Sequence, residues 1–336
     1  MKTPRVAVLG AGSWGTTVAA IASRSSPTVL WARDPETAQS VGERHVNERY
    51  LPGLALPKAL EATTDLHRAV ESADVVVAAI PAQSLRAVLR EIAPTIRPWI
   101  PVVSLSKGLE RGTHKTMTEV IAEELPGHPA GALSGPNIAA EVASGMATAA
   151  TLAMPDEALA SQLAELFRTN RFRIYSSSDV RGVEIAGACK NVYAIAVGMA
   201  DGAEAGYNTK AMVMTRAGHE MARLGVAMGG RMETFAGLAG MGDLIVTCTS
   251  SRSRNRHVGE ELGRGKTVEE ILGQMSQVAE GVATAPVLVE LAEQLGVQVP
   301  IAREVLGVLR DGRTVRDAYR GLLRSTPGNE MDGDSW

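Results

Sequence analysis

The chain has 336 residues, 45% hydrophobic and 21% charged, which is typical of a soluble globular protein long enough for two domains. A net charge of −3 argues against general binding to nucleic acid or to an anionic membrane, and 4% aromatic residues argue against base-stacking platforms. Two cysteines, Cys189 and Cys248, offer neither a disulfide framework nor metal-ligand spacing, so we expect a reducing cytoplasm and no metal site.

The first motif along the chain is a G-x-G-x-x-G turn formed by Gly10, Gly12 and Gly15. The elements predicted around it are a strand over 6–9, a helix over 16–23 and a second strand over 28–32. In this context Gly10 allows a tight turn, Gly12 lets the backbone approach a pyrophosphate, and Gly15 lets helix and strand pack closely. The alternative is a turn that serves packing alone, but the flanking elements favour a bound dinucleotide.

The end of the second strand bears on the choice of cofactor. In NAD-preferring folds an acidic residue here takes the ribose 2′-hydroxyl, and Asp34 occupies that place. Arg33 directly precedes it, so a cation is available for the 2′-phosphate of NADPH as well. The alternative is that Arg33 is a solvated surface residue.

The next part of the chain alternates strands with helices. The stretch 44–57 is punctuated by Pro52, Gly53 and Pro57 and is predicted to be a loop. The predicted strands are 74–80, 101–106, 131–134, 148–154 and 171–175, and the predicted helices are 83–93, 138–144 and 157–168. This alternation predicts an α/β domain with a parallel doubly wound sheet.

From about residue 180 the segments become longer, rich in Ala, Leu, Gly and Met, and helical in period. We therefore predict a dinucleotide-binding domain over 1–178, an all-α substrate domain over 179–324 and a disordered polar tail over 325–336. Uncharged stretches such as 125–140 are broken by Pro and Gly, so no membrane span is predicted.

Two of the predicted strands end in residues suited to binding an anion. Lys107 follows the strand over 101–106, and Gly135 and Asn137 follow the strand over 131–134. In open α/β sheets ligands bind at the carboxyl ends of the strands, so these residues are expected near the cofactor. The alternative for Lys107 is an ordinary surface lysine.

The helical part contains a sharper signal. Lys190 lies in an almost wholly apolar helix, where a charge is costly unless it is paired or functional, and Asn191 beside it is a potential hydrogen-bonding partner. The alternative is a lysine whose ammonium reaches water at the surface. Further along, Asp243 follows a glycine run, and of Arg252, Arg254 and Arg256 one guanidinium is expected to bind phosphate.

These motifs occur together as GAGSWG at 10–15, LSKGLE at 105–110, SGPNIAAEVASG at 134–145, EIAGACKNVYAIAVG at 184–198 and GLAGMGDLIVTCTSSRSRNR at 237–256. In this order the chain resembles the bacterial-type NAD(P)-dependent glycerol-3-phosphate dehydrogenase family. The resemblance implies a Rossmann-like N-terminal domain for NADH or NADPH, followed by a helical domain for the substrate. It further implies interconversion of dihydroxyacetone phosphate and sn-glycerol 3-phosphate, which feeds phospholipid synthesis.

The resemblance also implies roles for individual residues. Lys190 is implied to be the catalytic proton donor and acceptor. The implied substrate contacts, besides Lys190, are Lys107, Gly135, Asn137, Asp243, Ser253, Arg254 and Asn255. The implied cofactor contacts, besides the three glycines, are Ser13, Trp14, Arg33, Tyr50, Lys107, Ala139, Arg254, Val278 and Glu280. Relatives commonly have Ser or Thr where this chain has Asn137, whose amide is still able to donate a hydrogen bond.

Two other interpretations stay open at this point. A dehydrogenase of the same plan acting on a β-hydroxyacid or on ketopantoate would bind a carboxylate in place of a phosphate. A non-catalytic dinucleotide-binding sensor would need no buried Lys190. For partners we expect a small phosphorylated three-carbon substrate, no nucleic acid, no membrane and a homodimer.

Overall fold

The computed structural model describes residues 3–275 and 278–323, so the tail predicted over 325–336 lies outside the described residues. The chain forms two compact units. The first comprises Met1–Ser106 and Met117–Val180, and the second comprises Lys107–Thr116 and Arg181–Trp336. The segment Lys107–Thr116, which the sequence analysis included in the first domain, thus groups with the second unit. The domain boundary near residue 178 stays a prediction.

The first unit is built on an eight-stranded sheet, and every predicted strand is present. Its strands, with those of a small hairpin, are β1 Val6–Leu9, β2 Thr28–Trp31, β3 Val46–Asn47, β4 Leu51–Ala55, β5 Leu60–Thr63, β6 Val75–Ala78, β7 Val102–Ser104, β8 Ala130–Ser134, β9 Thr148–Ala153 and β10 Phe172–Ser177. The order is β10-β9-β8-β7-β6-β1-β2-β5. All neighbouring pairs are parallel except β8–β9, so β9 and β10 run against the other six strands.

Helices cover both faces of this sheet. They are α1 Ser13–Ala22, α2 Pro35–Gln39, α3 Leu66–Glu71, α4 Ala82–Ile92, α5 Met117–Glu124, α6 Ala139–Ala143 and α7 Glu157–Phe167. In β1, Val6 and Val8 pack into one core with α1 and α7, whereas Ala7 and Leu9 pack into the other with α3, α4 and α5. Because alternate residues of a strand face opposite sides, a run that is apolar throughout is what a strand buried on both faces requires.

The strand order reverses at β1. From β1 the chain passes to β2 and β5 on one side, then returns to β6, β7 and β8 on the other. At such a switch point the loops after neighbouring strands diverge and leave a crevice at the carboxyl ends of the strands. The glycine turn follows β1 at this position, which is where an α/β sheet binds a nucleotide.

The predicted loop over 44–57 is wrong in part. Ser40–Arg44 forms a π-helical turn, and β3 pairs with β4 in an antiparallel hairpin. Pro52 and Gly53 lie inside β4. Proline is tolerated there because a two-stranded ribbon leaves the outer edge of each strand unpaired.

In the part of the chain that the structure describes, the regular secondary structure of the second unit is all helical. Its helices are α8 Val180–Gly202, α9 Tyr207–Ala227, α10 Met232–Ala236, α11 Asp243–Thr249, α12 Arg254–Gly263, α13 Val268–Gln274, α14 Glu280–Gln294, α15 Pro300–Arg310 and α16 Val315–Leu323. One helix, α8, is long and apolar enough to cross a membrane, but its apolar window is completely buried inside the protein. It is therefore the core helix of this unit, around which the others pack.

Candidate functional site

In the first unit Gly10, Gly12 and Gly15 have different structural roles in the turn. Gly10 has φ +110°, and a Cβ there would overlap the carbonyl oxygen of Ala79, which follows β6. A Cβ at Gly15 would overlap the carbonyl oxygen of Gly10, so this position joins α1 closely to the turn. A Cβ at Gly12 would meet nothing within 4 Å. The space beside Gly12, at the N-terminus of α1, is thus open for a ligand.

The hairpin supports this turn, which the loop prediction did not anticipate. Asn47 is buried, and its Nδ2 donates to the carbonyl oxygen of Ala11 at 3.0 Å and to Oγ1 of Thr16 at 2.8 Å. The hydroxyl of Ser13 donates to the carbonyl oxygen of Tyr50 at 2.9 Å. Ser13 and Tyr50, both predicted cofactor contacts, are therefore neighbours. Asn47 was missed because nothing in a loop of mixed composition distinguishes one buried amide.

Two more predicted cofactor contacts are Trp14, in α1, and Ala139, which bonds to α1. Trp14 packs edge-on against Phe172, with ring centroids 6.0 Å apart, and its Nε1 is buried without a partner among the described residues. The carbonyl oxygen of Ala139, at the start of α6, accepts a hydrogen bond from Oγ1 of Thr17 at 3.2 Å. The turn, the hairpin and α6 therefore form one continuous region of the first unit.

Arg33 and Asp34, at the end of β2, have different roles. Asp34 caps the N-terminus of α2, where its carboxylate accepts hydrogen bonds from the backbone N–H and the hydroxyl of Thr37. These bonds, with a smaller contribution from Arg49, hold the pKa of Asp34 below its usual value. Arg33 is exposed, and its side chain has no partner in the described part of the chain. Its guanidinium is free to meet an anion.

The loop after β8 is fixed by sterics. Gly135 has φ +150°, and a Cβ there would lie 2.9 Å from Cα of Ala150, so glycine is required. Nδ2 of Asn137 donates to the carbonyl oxygen of Ala149 at 3.1 Å. One donor of the Asn137 amide is thus already used within the protein, and its Oδ1 is buried without a partner among the described residues.

The second unit brings two lysines to one carboxylate. Nζ of Lys190, on α8, lies 2.9 Å from Oδ1 of Asp243 and donates to Oγ1 of Thr247 at 2.6 Å. Nζ of Lys107 lies 2.5 Å from Oδ2 of the same Asp243. Asp243 and Thr247 are four residues apart on α11, so both face Lys190. Thr247 was missed by the sequence analysis, although this helical spacing from Asp243 is a usable signal.

Burial decides the electrostatics of this cluster. Lys190 is 6% exposed, which rules out the alternative of an ammonium group reaching bulk water. Desolvation lowers the pKa of Lys190 to about 8, because the attraction of Asp243 offsets the burial and the repulsion from Lys107 incompletely. Burial also tends to raise the pKa of Asp243, but the two ammonium groups outweigh it and the net shift is downward. The cluster therefore contains an ionised carboxylate and a lysine able to exchange a proton near neutral pH.

Asn191 does not bond to Lys190 as predicted. Its Nδ2 donates to the carbonyl oxygen of Lys107 at 2.9 Å, and its Oδ1 accepts from Nδ2 of Asn255 at 2.8 Å. Oδ1 of Asn255 in turn accepts from the backbone N–H of Gly281 at 2.9 Å. The side chain of Lys190 points to α11, whereas that of Asn191 points away from it. The side-chain amides of Asn191 and Asn255 thus connect Lys107, α8, α12 and α14.

Of the three arginines, Arg252 and Arg254 are exposed and Arg256 is partly buried in ion pairs, while the prediction that one guanidinium binds phosphate stays a prediction. Arg256 pairs with Asp201 at 2.6 Å and with Glu260 at 3.4 Å, so it is structural. Ser253 caps α12 by accepting from the backbone N–H of Arg256 at 3.2 Å. Arg254 is the first residue of α12. Desolvation lowers the pKa of Arg254, and the charge of Glu280 opposes this change.

The remaining predicted cofactor contacts of this unit lie at the start of α14. Glu280 is the first residue of that helix, and Val278 is exposed two residues before it. The electrostatic effect of Glu280 on Arg254 links these two predicted contacts. Lys107, Arg254, Val278 and Glu280 all belong to the second unit, and their contacts with a cofactor stay predictions.

Comparison with known proteins identifies both halves of the chain. A family model for the N-terminus of NAD-dependent glycerol-3-phosphate dehydrogenase matches residues 5–160, and one for the C-terminus matches residues 179–320. The chain is 57% identical over 337 residues to a glycerol-3-phosphate dehydrogenase (NAD(P)+) of Mycobacterium avium (strain 104), covering 100% of this chain and 99% of the relative. It is 54% identical over 326 residues to a Sphingopyxis alaskensis relative of the same description, covering 97% and 98% of the two chains.

Solved structures agree with the sequence relatives. The crystal structure of glycerol-3-phosphate dehydrogenase from Coxiella burnetii is similar with a TM-score of 0.92 and 35% identity, covering 96% of this chain and 99% of that chain. A ketopantoate reductase from Ralstonia eutropha has a TM-score of 0.60 and 16% identity over 95% of this chain and 99% of that chain. The second likeness shows a shared fold alone, so it gives no support to ketopantoate as the substrate.

Proposed function

We propose a residue-level mechanism on the premise that the chain belongs to the NAD-dependent glycerol-3-phosphate dehydrogenase family. The chain is an NAD(P)-dependent oxidoreductase that reduces dihydroxyacetone phosphate to sn-glycerol 3-phosphate and catalyses the reverse reaction. NADH and NADPH both serve as cofactors. The observation that carries the mechanism is the buried Lys190, paired with Asp243 and Thr247.

The glycine turn fits a dinucleotide. Gly12 leaves open space at the N-terminus of α1, where unpaired backbone N–H groups and the helix dipole favour a pyrophosphate. Arg33 is free to pair with a 2′-phosphate. The nicotinamide, when bound, supplies the hydride. Ser13, Trp14, Tyr50 and Ala139 lie around the same turn and are assigned to hold the cofactor.

Lys190 is assigned to move the proton. In the reduction its ammonium donates a proton from Nζ to the substrate ketone oxygen as negative charge develops there. In the oxidation its neutral amine accepts that proton from the hydroxyl. A pKa of about 8 keeps both forms populated near neutral pH, which is what a group serving both directions requires.

Asp243 and Thr247 orient this proton donor. Ionised Asp243 accepts a hydrogen bond from the ammonium, and because its pKa is lowered it does not take the proton itself. The second lysine, Lys107, shares the same carboxylate and is assigned to contact the substrate. The two ammonium groups, of Lys107 and Lys190, thus lie on the same carboxylate. The negative charge of Asp243 offsets the repulsion between them.

The substrate phosphate is assigned to Arg254 and the start of α12. The first turn of that helix directs backbone N–H groups outward, and a guanidinium is suited to bidentate phosphate binding. Ser253 and Asn255 flank Arg254 on the same turn. Gly135 and Asn137 remain candidate substrate contacts in the first unit. For Asn137 the contact would use the second N–H of its amide, because the first bonds Ala149.

The wider setting is proposed from the family. Its reaction supplies the glycerol backbone of phospholipids, and we place the enzyme in the cytoplasm as a homodimer without membrane or nucleic-acid partners. Light scattering on the eluted peak of a size-exclusion column tests the dimer, with a monomer mass contradicting it.

The function is tested by following NADPH and NADH absorbance with dihydroxyacetone phosphate and, separately, with ketopantoate. We expect turnover with dihydroxyacetone phosphate and both cofactors. Faster turnover with ketopantoate would contradict the substrate assignment. Cofactor binding with no turnover on either substrate would support the sensor interpretation instead.

A further inference from the structure

Lys107, which pairs with Asp243, is the first residue of a short segment, Lys107–Thr116, that belongs to the helical unit. Leu109 anchors this segment. It is fully buried in a small apolar cluster with Ala188 of α8 and Val287 of α14, against which Leu291 also packs. The anchor lies two residues from Lys107, so it fixes the start of the segment.

The far end of the segment is a self-bonded turn. The backbone N–H of Glu110 donates to the carbonyl oxygen of Lys115 at 2.9 Å, and the N–H of His114 donates to that of Glu110 at 3.0 Å. His114 has φ +59°, in the left-handed region that residues with a Cβ rarely adopt. A conformation of this kind persists where surrounding contacts hold it.

That contact is a hydrogen bond to Glu290 of α14. Nε2 of His114 lies 2.8 Å from Oε2 of Glu290, with the two side chains 17% and 50% exposed. A carboxylate only accepts, so Nε2 carries the hydrogen of this bond. Val287, Glu290 and Leu291 lie three and four residues apart on one face of α14, so a single helix face receives both the apolar anchor and the hydrogen bond from His114.

We propose that the His114–Glu290 pair is a latch that holds the segment Lys107–Thr116 on α14 and thereby positions Lys107 on Asp243. His114 and Glu290 are positioning residues, which act through Lys107 and do not touch the substrate. This proposal rests on the proposed function, because it concerns how the Lys107–Asp243–Lys190 cluster is kept in place.

Breaking the His114–Glu290 latch should change the pKa of Lys190 in a defined direction. Besides desolvation, the groups that act on the pKa of Lys190 are Asp243, which raises it, and Lys107, which lowers it. The Cys248 thiol has a smaller effect and is neutral near pH 8, because burial raises its own pKa to about 12. When Lys107 moves away, Lys190 loses a repulsion and no longer shares Asp243. The pH midpoint of the reaction then rises. A general loss of stability would leave that midpoint unchanged.

The test compares Glu290→Ala with Glu293→Ala in the full-length enzyme. Glu293 is on the same helix and pairs with Arg303 at 2.7 Å with a similar exposure of 52%, so it is a matched control outside the site. For Glu290→Ala we expect the KM for dihydroxyacetone phosphate to rise by about two- to fivefold, the range for a partly exposed pair. The pH midpoint of kcat/KM should move upward, and the KM for NADPH should not change. Glu290→Gln, which keeps an acceptor for Nε2 of His114, should restore most of the difference.

Lys107→Met separates failure of the latch from failure of the proposed function. If Lys107→Met raises the substrate KM and shifts the pH midpoint but Glu290→Ala matches Glu293→Ala, the latch is wrong and the role of Lys107 stands. If Lys107→Met itself changes neither quantity, the assignment of Lys107 fails and the latch fails with it. Thermal melting of each variant identifies any that are unfolded, and His114→Ala, which removes the donor to Glu290, then replaces Glu290→Ala with the same expected and contradicting results.

Discussion

The ammonium of Lys190 lies 2.9 Å from Oδ1 of Asp243, and both side chains are almost completely buried. Removing one partner of a buried pair leaves the other charge uncompensated, which is strongly unfavourable. Here the carboxylate is shared with Lys107, so the three groups together carry one net positive charge. A site of this sign, placed on a fixed core helix, is suited to an anionic substrate whose ketone acquires negative charge during reduction.

The pH dependence of the two reaction directions should be opposite. Reduction requires protonated Lys190, so its kcat/KM should fall as pH rises through about 8, and oxidation should rise over the same range. Bound phosphate favours the ammonium, so the midpoint for kcat of reduction should lie higher than that for kcat/KM. Initial rates from pH 6 to 10 in both directions measure this. Parallel profiles would argue against a shared proton-transfer group.

Asp243→Asn should move the reduction midpoint to lower pH, because the attraction that raises the pKa of Lys190 is lost. Thr247→Val is the control, since it removes a hydrogen bond to Lys190 but no charge. We expect a clearly larger shift for Asp243→Asn. Equal shifts in the two variants would mean that the hydrogen-bond geometry, and not the charge of Asp243, sets this pKa.

Arg33→Ala should reduce the use of NADPH relative to NADH. The guanidinium is exposed, and an exposed charge pair contributes up to about 1 kcal/mol, which corresponds to about fivefold in the kcat/KM ratio. Values of kcat/KM for both cofactors, in the wild type and in the variant, give this ratio. Arg49→Ala is a control because Arg49 stacks on Tyr50 and lies near Asp34. An unchanged kcat/KM ratio in Arg33→Ala would contradict the assignment of Arg33 to the 2′-phosphate of NADPH.

Arg254→Lys should raise the KM for dihydroxyacetone phosphate by about tenfold or more. It keeps the charge but loses the planar fork that binds phosphate through two bonds. Arg252→Ala, two residues earlier and exposed, should be close to wild type. Similar effects at the two positions would show that the wrong arginine has been chosen.

Glu220 provides a stability prediction away from the reaction. It is buried, accepts from the backbone N–H of Ile301 at 2.8 Å, and burial raises its pKa to about 7, with Arg223 acting in the opposite direction. A raised carboxyl pKa means that its stabilising contribution is complete below its unfolded value near 4.5 and is lost as pH rises through 7. Glu220→Gln keeps an acceptor for Ile301 and should be more stable than wild type above pH 7, by up to about 3 kcal/mol.

Urea unfolding at pH 5 and pH 8 measures that difference. The variant and the wild type should differ more at pH 8 than at pH 5. Glu220→Ala, which removes the acceptor for the start of α15, should be destabilised at both pH values. A Glu220→Gln variant less stable than wild type at pH 8 would show that the charged form is favoured by its contacts.

The central strands of the first unit, such as β1 and β6, were predictable because each is an apolar run that both faces of the sheet bury. The edge strand β5 was not predicted, because its sequence Leu-Glu-Ala-Thr is mixed and mostly not buried. The glycine turn was also predictable from the sequence, since Gly10 and Gly15 are sterically required and Gly12 leaves room for a ligand. Lys190 was identifiable as the one cation in the apolar stretch 183–198. In each case the constrained residues lie close together in the sequence, so they leave a local pattern even where the contact that constrains them comes from elsewhere in the chain.

The features that sequence reasoning missed depend on contacts between distant residues. Asn47 supports the glycine turn from a hairpin whose Pro52 and Gly53 indicated a loop. The partners of Asn191 are Lys107 and Asn255, 84 and 64 residues away. The antiparallel direction of β9 is a choice of topology that a strand's own composition does not encode.

The most direct test of the mechanism is Lys190→Met, which keeps a side chain of similar length and removes the proton donor. NADPH fluorescence titration should give wild-type binding, and single-turnover reduction of dihydroxyacetone phosphate should slow by about 10²–10⁴-fold, the usual contribution of a general acid. The residual rate should also lose the pH midpoint near 8. A variant that binds NADPH normally and reduces dihydroxyacetone phosphate within a few-fold of the wild-type rate would show that Lys190 is not the acid.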